Sequence, residues 1–177
     1  MQELCYSALD IAVIVSRMHL GCRDKSRILD QIWEKEKVFL HAPYRTNKRK
    51  FILDIYQWSQ YFYDKPIIDR EIPAIQKDLE HINKTLLAEE LTSDFSDLDL
   101  FFKSIRIRIL YGYGNDYVRI KLRTLLKKYG YKRRSQLFLQ HINRRMLFYH
   151  LEATLPGGMP CTIEDIDLDQ MLTFRVI

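Results

Sequence analysis

A block of one charge constrains this chain more than any other feature. Residues 103–150 carry thirteen Lys or Arg against a single acid, Asp116, a net of +12. The remaining 129 residues hold fifteen basic and twenty-two acidic side chains, a net of −7, so the overall +5 conceals two parts of opposite sign. Cations gathered in one stretch repel one another and weaken a compact state unless a counter-charge comes from outside. A phosphate backbone suits that role, because neutralising it releases condensed counterions. A merely solvated helix face is the alternative. Acids at i,i+4 would support that alternative, and this block has almost none.

Composition sets the other bounds. An apolar fraction of 47% and twenty-two aromatic residues imply a packed core, and six Gly with five Pro fit a compact, helix-rich fold. Cys5, Cys22 and Cys161 are scattered and form no CxxC pair, which argues against a cysteine zinc site. Three unpaired thiols predict a reducing, cytoplasmic setting. Residues 8–15 are apolar but interrupted by Asp10, and they are too short to span a bilayer.

Apolar spacing predicts a helix over residues 3–20, stopped by Gly21, and a second over 25–41, capped by Asp24. A third runs from Asn47 through Tyr63, and a fourth from Asp69 to Leu91. The acidic stretch Thr92–Leu100 marks a boundary, giving a helical domain over 1–95 and a basic domain over 96–177. Residues 101–111 alternate Ile and Arg like a strand, yet they can equally continue a helix begun at Ser96. Asn115 or Asp116 is expected to cap a helix ending at Gly130, and a further helix covers 133–151, with Leu137, Phe138, Ile142, Met146, Leu147 and Leu151 on its apolar side. Pro156–Pro160 forces a turn, and Ile163–Ile177 reads as extended.

This order outlines a winged helix-turn-helix, in which a second helix enters the major groove. On the helix Arg133–Leu151, the residues Arg134, Gln136, Gln140, Asn143 and Arg144 point outward, and such side chains read base edges. Lys127, Lys128, Lys132 and Arg133 flank Gly130 where they can meet phosphates. The segment LLKKYGYKRR at 125–134 carries a resemblance. With Leu125, Leu126, Tyr129, Gly130, Arg133, Arg134, Ile142, Leu151, Thr154, Pro156, Ile166, Asp167 and Phe174, residues 118–177 resemble a winged-helix module attached to bacterial restriction and defence proteins. Tyr129 stands where that family usually has Phe, and the turn 156–160 departs from its usual continuation. The resemblance implies a nucleic-acid or partner-docking module without catalysis of its own, working in a bacterial or phage defence, counter-defence or regulatory system.

A second basic cluster, Arg45 to Lys50, includes Lys48, Arg49 and Lys50 and precedes Tyr56, Trp58, Tyr61 and Tyr63. Cations beside rings can grip single strands, although rings at this spacing also serve a core. Arg145 and His150 resemble the Arg-and-His active-site motif of the HEPN ribonucleases, in which such a pair cuts RNA without metal. Met146 replaces the polar residue that often follows that Arg. Chemically, a His near neutral pKa moves protons and an Arg stabilises phosphate charge. Asp165, Asp167 and Asp169 lack an EF-hand context. Asp94, Asp97 and Asp99 read as helix-start caps, while His19, His41 and His81 stand alone.

The expectation is therefore a mainly α protein: an N-terminal helical bundle, then a winged helix-turn-helix with a small C-terminal β-wing. It is a non-catalytic binder of nucleic acid, duplex DNA ahead of RNA, with no cofactor, no metal and no membrane contact. The N-terminal helices would supply a homodimer or protein contact. A protein–protein module docking on a nucleic-acid-handling complex and a ribonuclease using Arg145 and His150 are the alternatives. If six to ten phosphates are neutralised, affinity falls on the order of 10³–10⁵ between 50 and 200 mM salt.

Overall fold

A computed structural model describes residues 4–63, 96–128 and 130–177. The chain separates into two compact units, 1–96 and 97–177. The described residues are mainly helical, with one small antiparallel sheet. Among them, no helix is long and apolar enough to cross a membrane. The helix expected over 69–91 lies outside the described residues, as do Asp94, His81 and the backbone of Tyr129.

The first unit is built on α1 (Ala8–Ser16), α2 (Cys22–Lys35), α3 (Ala42–Arg45) and α4 (Lys48–Tyr63). Helix α1 begins later than expected because Ser7 and Asp10 form a reciprocal capping box: Asp10 N–H donates to Ser7 Oγ and Ser7 N–H donates to Asp10 Oδ2. The residues before it extend instead, and Tyr6 exchanges backbone bonds with Phe39 and His41. Helix α2 starts at Cys22, before the expected Asp24 cap. It stops at Lys35, and a 3-10 turn over Lys37–Phe39 replaces its last expected turn. Asn47 caps α4 as the sequence suggests, its Oδ1 accepting from Lys50 N–H.

The second unit contains α5 (Ser96–Tyr111), β1 (Val118–Lys121), α6 (Leu122–Lys128), α7 (Gln136–Phe148), β2 (Leu151–Thr154) and β3 (Met171–Val176). The Ile-Arg alternation of 101–111 resolves as helix. Leu98, Phe102 and Ile105 are buried at i, i+4 and i+7, and that tertiary face overrides local strand preference. Gly112 follows the last residue of α5, and glycine is required there because a Cβ would sit 2.5 Å from the Arg108 carbonyl oxygen.

Two sequence expectations fail in this unit. The helix expected from Asn115 or Asp116 to Gly130 opens as a strand, because Val118 and Ile120 pair with Phe174 and Leu172. Leu151 belongs to β2 rather than to a helix, pairing with Val176. The sheet order is β1-β3-β2, all antiparallel. Of the expected extended stretch 163–177, only Met171–Val176 is strand; turns occupy most of 163–170. Val118, Ile120, Leu151, Ala153, Leu172 and Phe174 lie on one sheet face by the period of two. Phe174 packs edge-on against Phe101 and Phe102 at 6.2 and 5.9 Å between centroids.

Candidate nucleic-acid interface

Helix α7 starts at Ser135, whose hydroxyl accepts from Phe138 N–H at 3.2 Å. Phe138, Leu139, Ile142 and Arg145 are buried on its inner side. Its outer side presents Gln136, Leu137, Gln140, Asn143, Arg144 and Leu147, all exposed. At 100° per residue these six positions fall within one contiguous stripe. Gln136, Gln140, Asn143 and Arg144 thus share a face, as the sequence suggested. Leu137 and Leu147 do not join the core; they are 70% and 80% exposed on that same stripe.

Arg145 is placed very differently from its expected role. It is 4% exposed, and its Nε and Nη2 donate to Asp99 Oδ1 and Oδ2 at 2.6 and 2.7 Å. His141 Nε2 lies 2.6 Å from the same Asp99 Oδ1. Burial raises the Asp99 carboxyl, but hydrogen bonds and charge from His141 and Arg145 outweigh it, so the net shift is downward. The fork needed to stabilise a phosphate is thus occupied by an internal carboxylate, which removes the arginine from a ribonuclease pair with His150. His150 itself is exposed, in a left-handed turn at φ 50° between α7 and β2. Asp99, expected to cap a helix start, instead clamps α5 to α7.

Arg134 also departs from its expected place among base-reading residues. It precedes the helix, and its Nη1 donates to the carbonyls of Ile163, Glu164 and Ile166 at 3.1, 2.9 and 2.6 Å. It therefore anchors the connection between β2 and β3. Glu164 Oε1, from the same connection, accepts from Asn143 Nδ2 at 2.7 Å. Arg134→Ala is expected to release residues 163–166, costing about 1–3 kcal/mol for charged hydrogen bonds. Amide exchange in that segment should quicken well before the helices open; unchanged protection there would contradict this role.

The thirteen cations of the basic block have three fates. Lys103, Arg106 and Arg145 are buried, with Arg106 Nη1 donating to the Tyr149 carbonyl at 2.7 Å. Arg134 holds carbonyls, and Arg123 forms a two-pronged pair with Asp169 at 2.7 and 2.8 Å. The other eight, Arg108, Arg119, Lys121, Lys127, Lys128, Lys132, Arg133 and Arg144, are exposed. Lys127 and Lys128 end α6, and Lys132 and Arg133 follow Gly130, whose φ of 79° turns the chain toward α7. The unit 97–177 holds fourteen Lys or Arg against eight carboxylates, a net of +6.

The second basic cluster is largely neutralised within its own unit. Lys48 pairs with Asp30 and Glu34 at 2.9 and 3.6 Å, and Lys50 with Asp54 at 3.0 Å. Lys48 Nζ also stands 5.5 Å from the Trp33 ring centroid, while Lys37 sits closer, at 3.6 Å. Arg49 stays exposed. An open cationic grip for single strands is therefore not what Lys48 and Lys50 form; they close α4 onto α2 and onto its own next turn.

Among the described residues no cluster of His, Cys, Asp or Glu has the makings of a metal site, and all three cysteines are free thiols. Sequence reasoning missed the Asp99 clamp and the anchoring of the 163–166 segment, because their partners lie 29 to 46 positions apart. Comparisons of the chain with family models, with curated proteins and with solved structures give no match.

Proposed function

We propose that residues 97–177 form a winged helix-turn-helix that binds nucleic acid, duplex DNA in preference to RNA, without catalysis. The observation that carries this reading is the outward stripe of α7, where Gln136, Gln140, Asn143 and Arg144 share one exposed face. Gln and Asn pair with adenine edges and Arg with guanine edges in a major groove wide enough for one helix. The order helix, strand, helix, helix, strand, strand with sheet order β1-β3-β2 suits that module, with α6 and α7 as the helix pair. Lys127, Lys128, Lys132 and Arg133 lie in sequence just ahead of α7, where phosphates flank an inserted helix.

A second reading, a docking face for another protein, is favoured by Leu137 and Leu147, two large apolar side chains left in water on that stripe. In a DNA complex the same leucines would meet thymine methyl groups. Binding to duplex DNA, single-stranded DNA and RNA measured side by side separates the readings. The double variant Gln140→Ala, Arg144→Ala is expected to lower specific duplex affinity by about 30-fold or more, at 1–3 kcal/mol for each of two bidentate base contacts. If no polynucleotide binds, and the chain self-associates in solution but becomes monomeric on Leu147→Asp, a protein-docking role for this stripe replaces the first reading.

A further inference from the structure

The face of the sheet opposite Phe174 carries a feature the α7 reading does not use. Arg119, Thr173 and Thr154 form a row across the three strands, since Arg119 pairs in register with Thr173 and Thr173 with Thr154. Directly opposed residues of an antiparallel sheet project on the same side, so Arg175, two residues beyond Thr173, joins them. These four residues line a cleft of about 280 Å³, completed by Leu155, Gly157 and Gly158.

Both arginines gather about one ring. The Arg119 guanidinium carbon is 4.5 Å from the Tyr117 centroid and that of Arg175 is 5.8 Å from it. The two guanidiniums are thus at most about 10 Å apart, the sum of those distances. Among the described residues neither has a carboxylate within ion-pair distance; Glu152 stands across from Arg175 in the register but does not pair with it. Arg119 donates its Nε–H to Thr173 Oγ1 at 3.3 Å, which orients the fork and leaves both of its Nη groups unengaged. The cleft edge is the turn Leu155–Met159, closed by Leu155 N–H on the Met159 carbonyl at 2.8 Å. Gly157 and Gly158 have φ of 91° and 83°, and a Cβ on either would meet nothing within 4 Å. The glycines are there for their backbone angles, and they leave that edge without side chains.

Two guanidiniums gathered about one ring with no carboxylate in ion-pair contact repel each other, and an oxyanion between them relieves that repulsion. Planar forks match the oxygens of a tetrahedral phosphate in a way lysines do not. The geometry points to a phosphate-binding cleft formed by Arg119, Arg175 and the Gly157–Gly158 turn, separate from the α7 stripe. The ligand is a phosphate group, supplied either by a polynucleotide backbone or by a free phosphate or phosphomonoester. The site does not depend on α7 reading bases.

The test uses the isotopically labelled full chain in oxyanion-free buffer at constant ionic strength, titrated with inorganic phosphate and, separately, with a short DNA duplex. Saturable amide shifts at Gly157, Gly158 and Thr173 are expected with phosphate, but not with chloride at equal ionic strength. Arg119→Gln and Arg175→Gln should each weaken that response at least about tenfold, while shifts elsewhere confirm the fold is kept. If the duplex competes with phosphate for these amides and the two variants weaken duplex binding, the ligand is the polynucleotide backbone. If phosphate binds and both variants hold the duplex as the parent does, the ligand is a free phosphate. Absence of saturable shifts at these amides with either probe, or shifts unchanged in both variants, overturns the proposal, whatever the Gln140→Ala, Arg144→Ala variant shows about α7.

Discussion

Asp99→Ala is expected to destabilise the protein by about 3–5 kcal/mol, the cost of breaking a buried ion pair from one side. The reason is geometric. Asp99 accepts both prongs of Arg145 and also contacts His141, and the Arg145 side chain is only 5% exposed. Removing the carboxylate leaves a buried guanidinium with no counter-charge, between the helix that opens the second unit and the helix that carries the candidate face. Urea unfolding of the full chain followed by circular dichroism should show the loss, and amide exchange should assign it to residues 97–177. Pairing Asp99→Leu with Arg145→Met removes both charges together and should recover much of the stability, because the uncompensated charge is the main cost. An Asp99→Ala midpoint close to the parent's would contradict the clamp.

The same carboxylate makes stability depend on acid. Its folded pKa lies below the ordinary carboxylate value, held down by His141 and Arg145 against the effect of burial. A depressed carboxylate adds stability that is fully present above its unfolded value and is lost as pH falls through the folded one. The parent should therefore lose stability more steeply than Asp99→Asn below about pH 4. Parallel curves for the two proteins below that pH would remove Asp99 as the cause.

The second large effect concerns the surface cations. Replacing Lys127, Lys128, Lys132 and Arg133 together by Ala should weaken duplex binding by at least about a hundredfold in low salt. Each is exposed, and none is buried in the core, so folding should survive the change. The salt slope should flatten by about 0.9 per phosphate contact removed. Affinity that drops while the slope holds would place these four residues away from phosphates.

How legible this was in the sequence depends on the range of the interaction. Helix α7 was readable because its apolar and polar positions repeat at 3.6 residues, although its expected start at Arg133 falls two residues before the Ser135 cap. The outward set Gln136, Gln140, Asn143 and Arg144 followed from that period alone. Strand β1 was not readable: Val-Arg-Ile-Lys is four residues long and runs directly into the helix Leu122–Lys128. What makes it a strand is Phe174 and Leu172, more than fifty positions away. Leu137 and Leu147 misled for the opposite reason. Their apolarity signals core, yet the inner side is already filled by Phe138, Leu139 and Ile142. The charge census misled in part, because a count does not distinguish a guanidinium facing water from one clamped on Asp99 or on the 163–166 carbonyls.

That distinction changes the expected salt dependence. Arg134 and Arg145 are occupied internally and Arg123 faces Asp169, and the exposed cations around α6 and α7 number five: Lys127, Lys128, Lys132, Arg133 and Arg144. Five phosphate contacts give a slope of log K against log salt near −4.5, and an affinity loss of about 500-fold between 50 and 200 mM. This is milder than the sequence count of six to ten contacts implied. A salt titration of duplex DNA binding by the intact chain reads that slope directly. A slope near −4.5 is the predicted result; a flat titration, or no complex even in low salt, would contradict polynucleotide binding by this unit.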